Sequence, residues 1–568
     1  MLKTRKYGNF TGVDFSNSEV SLNRSPYLIN MWKNYKSALG QRIETRPGLE
    51  LQAEFPNKIL GFFFYRYNNN LAVLVHSGTK LLRWTNYPTM PVETTELFGS
   101  MNIVKSQSFI VNNIFYIKDG INYLEYDGIT IKEVEGFIPT TTIERRPKGG
   151  GTLFQKVNVL TPKRKNSFVA DGTSAKYVLD TTDLDSKSTY LMTATVDGIT
   201  KTEDIHFTVD RTKGEVTFNE APNKPLEDDE DNVIITISKT TSGHRDRINK
   251  CRLLTTFDNR VFFSGNQDFP NVIFHSELDN PRYISDLAYY NEGMDLSPVK
   301  ALVTGNNALW VFKAPNQANT TVFYHTPVLD YEFGKVYPSV HSNISTGCVS
   351  TGINFNDDIV FFSERGLEGI SGDINSERVL GHRSSFVDAK LINETGYLNI
   401  ELAEYEGYLM CLVGSKVYLA DSRQRIGGEY EWFYWELPFA INFITEIEGK
   451  IYFGNDLGAI YTLNGTKDGI NDVVGTFRTI NDDFGAMNIQ KTTNKRGGVA
   501  DVIGQSVTIK VKTDNKEWET IGTYNNTKGY IVYRIKEKKF KDIQIEFSGN
   551  FGLIECTLEA FIGGYVKR

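Results

Sequence analysis

Side chains able to do chemistry near neutral pH are sparse. The chain has seven histidines, at positions 76, 206, 244, 275, 325, 341 and 382. None pair at metal-ligand spacing. There is no HExxH, no GxSxG elbow, no Walker phosphate loop and no GxGxxG after a strand. His275, in VIFHS, falls on a strand pattern and is expected to be a hydrogen-bonded strand residue. The cysteines are Cys251, Cys348, Cys411 and Cys556, with no CxxC pair, and read as reduced, buried small hydrophobes. Cysteine catalysis needs a thiolate activated by a spatial neighbour, and the sequence places none. The acidic run Glu227–Asp231 could ligate calcium, or be a solvated turn. Paired carboxylates for glycoside cleavage stay open, because their separation is not legible in a sequence. No catalytic residue, cofactor or metal ligand is therefore assigned.

Positive charge gathers in two places. Arg145, Arg146 and Lys148 flank the glycine run Gly149–Gly151, which could hold a phosphate or serve as a hinge. Lys163, Arg164 and Lys165, together with Arg245 and Arg247 in HRDR, border the same stretch. These eight residues are the candidate contacts to DNA or an acidic partner, with a solvated, charge-balanced loop as the plainer account. Across the 568 residues the net charge is −7. That balance argues against a protein that wraps DNA, because neutralising phosphates needs a Lys/Arg excess. It leaves room for one that lets DNA slide.

The elements that would position these residues repeat. A small polar turn followed by an apolar strand recurs, with strands starting at Leu71, Ile114, Val261, Ile359, Leu409 and Ile451 and one centred on Leu309. The spacings are 43, 147, 48, 50, 50 and 42 residues, so about 95 residues are inserted between the second and third copies. Short-strand hairpins at this period suggest an all-β propeller of about seven blades. One hairpin cannot bury its own apolar residues, so neighbouring blades must stack. An ordinary β-sandwich with coincidental spacing is the competing reading. Tyr and Phe abundance suits strands.

The expected organisation has five parts. Residues 1–50 form an N-terminal segment. In it, Ser25 as N-cap, Pro26, and Leu28, Met31, Trp32 and Tyr35 at helical spacing predict one short helix lying on the propeller. Residues 51–147 and 243–466 are the two parts of the propeller, and 148–242 is an inserted small β-sandwich. Residues 467–568 form a C-terminal β-sandwich, with strands read in VGTFRTI, SVTIKVKT, EWETIGTY, YIVYRI, DIQIEFSG and LIECTLEAFIGG. The first residues show no signal-peptide pattern and no apolar run is long enough to span a membrane. The chain is therefore expected to be made in a cytoplasm and stay soluble.

Three stretches carry a resemblance. NFTGVDFSNSEVSL and INMWKNYKSALGQRIETRPGLE, with the turn Arg46-Pro47-Gly48, resemble the opening of bacteriophage tail nozzle and packaged-DNA stabilisation proteins, the tail tubular proteins of short-tailed phages. NRVFFSGNQDFPNVIFHSELDNP is similar to a blade of that group, carried by Ser264, Gly265, Pro270, Ser276, Asn280 and Pro281. Asn280 stands where the group has Asp. The insert resembles a β-module of phage tail and fibre proteins at Phe168, Asp171, Gly172, Thr173, Val196-Asp197-Gly198, Val209-Asp210, Gly214, Val216, Thr217, Phe218, Ala221 and Pro222. The resemblance reaches about residue 465.

It implies a structural virion protein and no enzyme. Six copies would form a ring below the head-to-tail adaptor, extend the DNA channel, retain the packaged genome and allow its ejection. The implied partners are the chain itself, the adaptor and other tail proteins, and, transiently, double-stranded DNA. The implied place is the virion tail, after assembly in the host cytoplasm. A receptor-binding or fibre-like tail protein and a glycan-active propeller enzyme are the alternatives.

Overall fold

The computed structural model describes residues 1–16, 20–36, 42–227, 230–330, 334–371, 379–426, 428–514 and 516–563. The seven repeated turns share one backbone geometry. Asn68-Asn69, Asn112-Asn113, Asp258-Asn259, Asn306-Asn307, Asn356-Asp357, Glu406-Gly407 and Glu448-Gly449 all hold both residues at positive φ, between 44° and 80°. That is the type I′ hairpin turn, whose twist matches the strands it joins and which Asn, Asp and Gly tolerate best. Each turn links the first two strands of an antiparallel four-stranded unit. These units cover residues 59–98, 107–133, 253–291, 299–341, 352–382, 401–436 and 443–463. Four of their second strands, Arg260–Ser264, Ala308–Lys313, Asp358–Ser363 and Tyr408–Val413, are buried along their whole length. Covering on both faces explains why they read as continuous apolar runs rather than alternating ones. The fold is all-β and of the propeller class.

The last blade supplies only three strands of its own. Its fourth is Leu49–Glu54, which pairs antiparallel with Ala459–Leu463. The chain packs as two compact units. One comprises Met1–Phe64, Leu71–Gly99 and Asn343–Arg568, and the other Tyr65–Asn70 and Ser100–Ser342. In the first unit, Ala53, Ile59, Phe62, Val73 and Val75 share a core with Phe443, Tyr452 and Ile460, joining the first and last blades. In the second, Phe109, Tyr116 and Tyr123 of the second blade pack with Val261, Phe263 and Phe274 of the third. Phe262 and Ile273 of the third then pack with Leu309, Val311 and Phe323 of the fourth.

The predicted N-terminal helix does not form. Leu28–Ile29 and Met31–Lys33 are strands, separated by Asn30 at φ 55°. A left-handed residue at that point stops a helix. Leu28, Met31 and Trp32 are buried because the two strands cross a core, not because they share a helical stripe. The short helices are His244–Asn249 and Asp388–Leu391.

The N-terminal segment is woven into the C-terminal domain. Leu2–Gly8, Leu28–Ile29 and Ile43–Thr45 all join one fourteen-stranded sheet with the C-terminal strands and the sixth blade. In place of the short strands read beyond residue 497, three long ones run through Gly498–Thr513, Glu519–Tyr533 and Ile543–Ile562. SGNFG, a turn by composition, stays inside the longest. The sheet bends there instead, through a register shift opposite, between Gly504 and Ser506.

The insert packs a six-stranded sheet against a three-stranded one. Their core holds Phe168, Tyr177, Phe207, Val216, Phe218, Val233, Ile235 and Ile237. Its six-stranded sheet already begins at Thr140–Arg145. The chain then returns to the blades before the next insert strand. Val159 and Leu160 lie in the core shared by the second and third blades.

Candidate functional site

The eight predicted basic residues do not act as one patch. Arg145 is buried on its strand and donates through Nη2 to the carbonyls of Val178 (3.0 Å) and Leu179 (3.1 Å). Its guanidinium lies 5.6 Å from the centre of the Phe168 ring, and burial lowers its pKa. Arg164 pairs with Asp180 at 3.4 Å, and the Lys163 ammonium sits 5.2 Å over the Tyr190 ring. Arg245 donates to the carbonyls of Leu160 (2.7 Å) and Val134 (2.9 Å) and pairs with Glu133 at 3.3 Å. These are staples of the insert and its attachment.

Arg146 and Lys148 are exposed in a turn closed by Gly149 N–H donating to Arg146 O at 2.8 Å. Gly149, Gly150 and Gly151 take φ of 105°, 81° and 88°, and so fold Thr152–Leu153 back onto Ile143. The run is a reversal within the insert's sheet. Lys165 faces Thr140 across a parallel pair in which Arg145 faces Phe168. Phe168 is three residues from Lys165 on the regularly paired strand, so at about 3.3 Å per residue Lys165 and Arg145 are about 10 Å apart along it. Arg247 borders a cavity. Of the acidic run, Asp228 and Asp229 lie outside the described residues, while the Asp231 carboxylate accepts from Glu144 N–H at 3.0 Å. Among the described residues, no three His, Cys, Asp or Glu side chains form a metal-holding group. All four cysteines are buried and outside any disulfide, and burial pushes the Cys251 thiol up to about 12. His275 accepts its expected place, with Nδ1 3.0 Å from Ser276 O and its ring stacked on Tyr290.

The RPG turn is a clasp. All of the Arg46 donor nitrogens are used, and its side chain is 1% exposed. Nη1 and Nη2 meet the two Asp468 oxygens at 3.0 and 2.6 Å, Nε meets Asn30 Oδ1 at 3.1 Å, and Nη2 meets Glu436 O at 3.2 Å. This planar fork suits a carboxylate as lysine cannot. Gly48 follows because a Cβ there would lie 1.9 Å from Lys467 O. The turn fixes the entry of the Leu49–Glu54 strand into the last blade, since Asp468 Oδ1 also accepts from Leu49 N–H at 2.9 Å.

Two ionic sets lie deeper in the blades. His325 bridges Tyr337 O (2.8 Å) and Glu292 Oε1 (2.9 Å), and Ser339 donates to the other Glu292 oxygen at 2.6 Å. His325 and Glu292 are both fully buried, so the set pins the third blade to the fourth rather than meeting a substrate. His382 lies between Asp388 (2.5 Å) and Glu368 (3.3 Å). Hydrogen bonds to Asp388 and then Glu368 raise its pKa to about 10. Ser384 donates to Asp388 Oδ1 at 2.6 Å, so its hydroxyl proton is held away from the imidazole.

A basic surface went unread in the sequence. Residues 491–541 hold twelve Lys/Arg against five Asp/Glu, a net +7 inside a chain of net −7. A charge count in windows would have found it. Lys528, Tyr530 and Val532 are exposed on one face of the Glu519–Tyr533 strand, and Arg534 and Lys536 continue the alternation beyond it. Lys495, Arg496, Lys516 and Lys539 are exposed as well. Tyr530 is 74% exposed. The strand pairs only with Gly498–Thr513, so among the described residues its other edge is open.

Among the described residues, no helix is long and apolar enough to cross a membrane. No family model and no curated protein matches the chain. Solved structures similar to it include the computationally designed Ika8 protein, at 11% identity and TM-score 0.34, covering 74% of this chain and 99% of that one. The WD40 β-propeller domain of Doa1 aligns at 10% identity and TM-score 0.24, covering 73% and 96%. An exo-β-1,3-galactanase from Phanerochaete chrysosporium aligns at 8% identity and TM-score 0.21, covering 54% and 94%. None of these scores supports an argument about function, and the fold assignment rests on the strand pairing described above.

Proposed function

We propose that the chain is a structural protein of a phage tail, a nozzle or connector whose copies form a ring and contact the genome as it passes. The observation that carries this reading is the exposed basic face on 491–541 in an otherwise acidic chain. Phosphate contacts of this kind are sequence-independent and salt-sensitive. Confined to one strip, they touch DNA without gripping it, as a conduit requires. The clasp at Arg46 and Gly48 supports the resemblance behind the reading, because the motif residues are ones this architecture needs. In this role the chain is no enzyme, its ring has six copies, and its neighbours are the adaptor and other tail proteins.

The test uses the full chain and a linear double-stranded DNA fragment. Binding should weaken steeply with salt, and electron microscopy of the same sample should show six-fold rings. The variant R534E/K536E/K539E should flatten the slope of log affinity against log salt by about 0.9 per lost contact. Monomers without measurable DNA affinity would overturn the reading, as would an unchanged slope.

A further inference from the structure

The second unit carries an open cleft of about 450 Å³ between the His244–Asn249 helix and the outer strands of the third blade. Its volume is in the range of small-ligand sites. Three aromatic rings line it. Phe269 and Phe274 lie 5.9 Å apart at 87°, and Phe274 and Tyr289 6.4 Å apart at 51°. Phe269 and Tyr289 are 37% and 42% exposed, while Phe274 is buried beneath them. Rings of this size are normally covered, so exposing two of them around one cleft leaves apolar area open to a ligand.

Polar groups rim the rings. Arg247 spends one nitrogen on Asp286 O at 3.4 Å and lies 6.0 Å from the Phe269 ring. Among the described residues its other guanidinium N–H groups, the His244 imidazole, the Asp286 carboxylate and the Asn291 amide have no hydrogen-bond partner in the protein. All four side chains line the cleft. Burial, and then the charge of Arg247, lower the His244 pKa, so the ring is neutral at pH 7 and offers both a donor and an acceptor.

We infer that this cleft binds a pyranose unit of a glycan, with one sugar face stacked on Tyr289, its edge against Phe269, and vicinal hydroxyls held by Asp286 and Arg247. A pyranose presents an apolar C–H face and a rim of hydroxyls that each donate and accept. That combination matches an aromatic floor with a carboxylate, a guanidinium and a neutral imidazole around it. A purely apolar ligand would leave those groups desolvated and unpaired, and a phosphate would meet the Asp286 charge. The inference does not depend on the role in DNA passage.

The test is saturation-transfer NMR on the full chain with methyl α-D-glucopyranoside, methyl α-D-galactopyranoside and N-acetylglucosamine at millimolar concentration. Transfer to the ring C–H protons of at least one sugar is expected. It should fall at least tenfold in Y289A and in D286N, both with unchanged thermal unfolding, and persist in Y530A, which removes an exposed tyrosine elsewhere. No transfer to any of the three sugars would overturn the inference. Equal loss in Y530A would also overturn it, by showing indiscriminate contact with exposed rings. D286N separates lost hydrogen bonding from lost folding, because it keeps the shape of the side chain.

Discussion

Replacing Arg46 should open the last blade before any other part of the fold. Its side chain is buried and holds Asp468, itself only 12% exposed, through two parallel hydrogen bonds. Arg46→Ala strands a largely desolvated carboxylate, which costs about 3–5 kcal/mol. It also frees Asn30 Oδ1 and the Glu436 carbonyl from their guanidinium donors. Arg46→Lys keeps a charge near Asp468 but cannot form the fork, so we expect about 2–3 kcal/mol. The loss falls on the Leu49–Glu54 strand, which is held by its pairing with Ala459–Leu463 and by the Leu49 N–H bond to Asp468. Hydrogen exchange followed by mass spectrometry reads that opening directly. At a factor of ten per 1.4 kcal/mol, amides of residues 49–54 should exchange about a hundredfold faster in Arg46→Ala or more. Peptides from the insert, whose core is separate, should exchange at the wild-type rate. Wild-type protection of the strand in Arg46→Ala would refute the clasp. So would uniform acceleration of the insert, since it would mean that the arginine stabilises the whole chain rather than one closure.

Two further outcomes follow from buried polar sets. Asn158 is 1% exposed and makes four bonds, donating to Phe137 O and Arg282 O and accepting from Leu160 N–H and Ile284 N–H. Asn158→Ala leaves those groups buried without partners, so a loss of about 2–4 kcal/mol is expected, measured as a lower urea midpoint for the second unit; an unchanged midpoint would show that the insert's return segment is not a strut. His382 should make the fifth blade alkali-sensitive. Its folded pKa of about 10 lies above the unfolded value of about 6.5, so its contribution is complete below pH 6.5 and is lost as pH rises through 10. Proteolysis within residues 352–382 should therefore speed up between pH 7 and 10 in the wild type, and His382→Gln should abolish that pH dependence.

What was legible in the sequence was local. A type I′ turn needs two residues that tolerate positive φ, and Asn-Asn, Asp-Asn or Glu-Gly ahead of a buried strand announces it within six residues. Seven such signals at near-constant spacing therefore gave the blades, and the long gap gave the insert. What was not legible depends on partners hundreds of residues away. Leu28, Met31, Trp32 and Tyr35 fit a helix by spacing, but Leu28 and Met31 pair with the Phe477 and Tyr434 strands, Trp32 pairs with Glu44, and Tyr35 lies in the turn beyond. Leu49–Glu54 reads as the start of the first blade, yet its partner is Ala459–Leu463. The basic candidates failed for a related reason. Clustering along the chain located Arg145, Arg164 and Arg245 but not the carbonyls and carboxylates that occupy them. The charge that remains exposed sits on 491–541, spread over two long strands and the loops around them rather than packed into one triplet. A dense basic triplet beside a domain junction is often bought by the fold itself, because a junction is where loose carbonyls need donors. A diffuse excess on an open strand has no such internal use, which makes it the better guide to a partner.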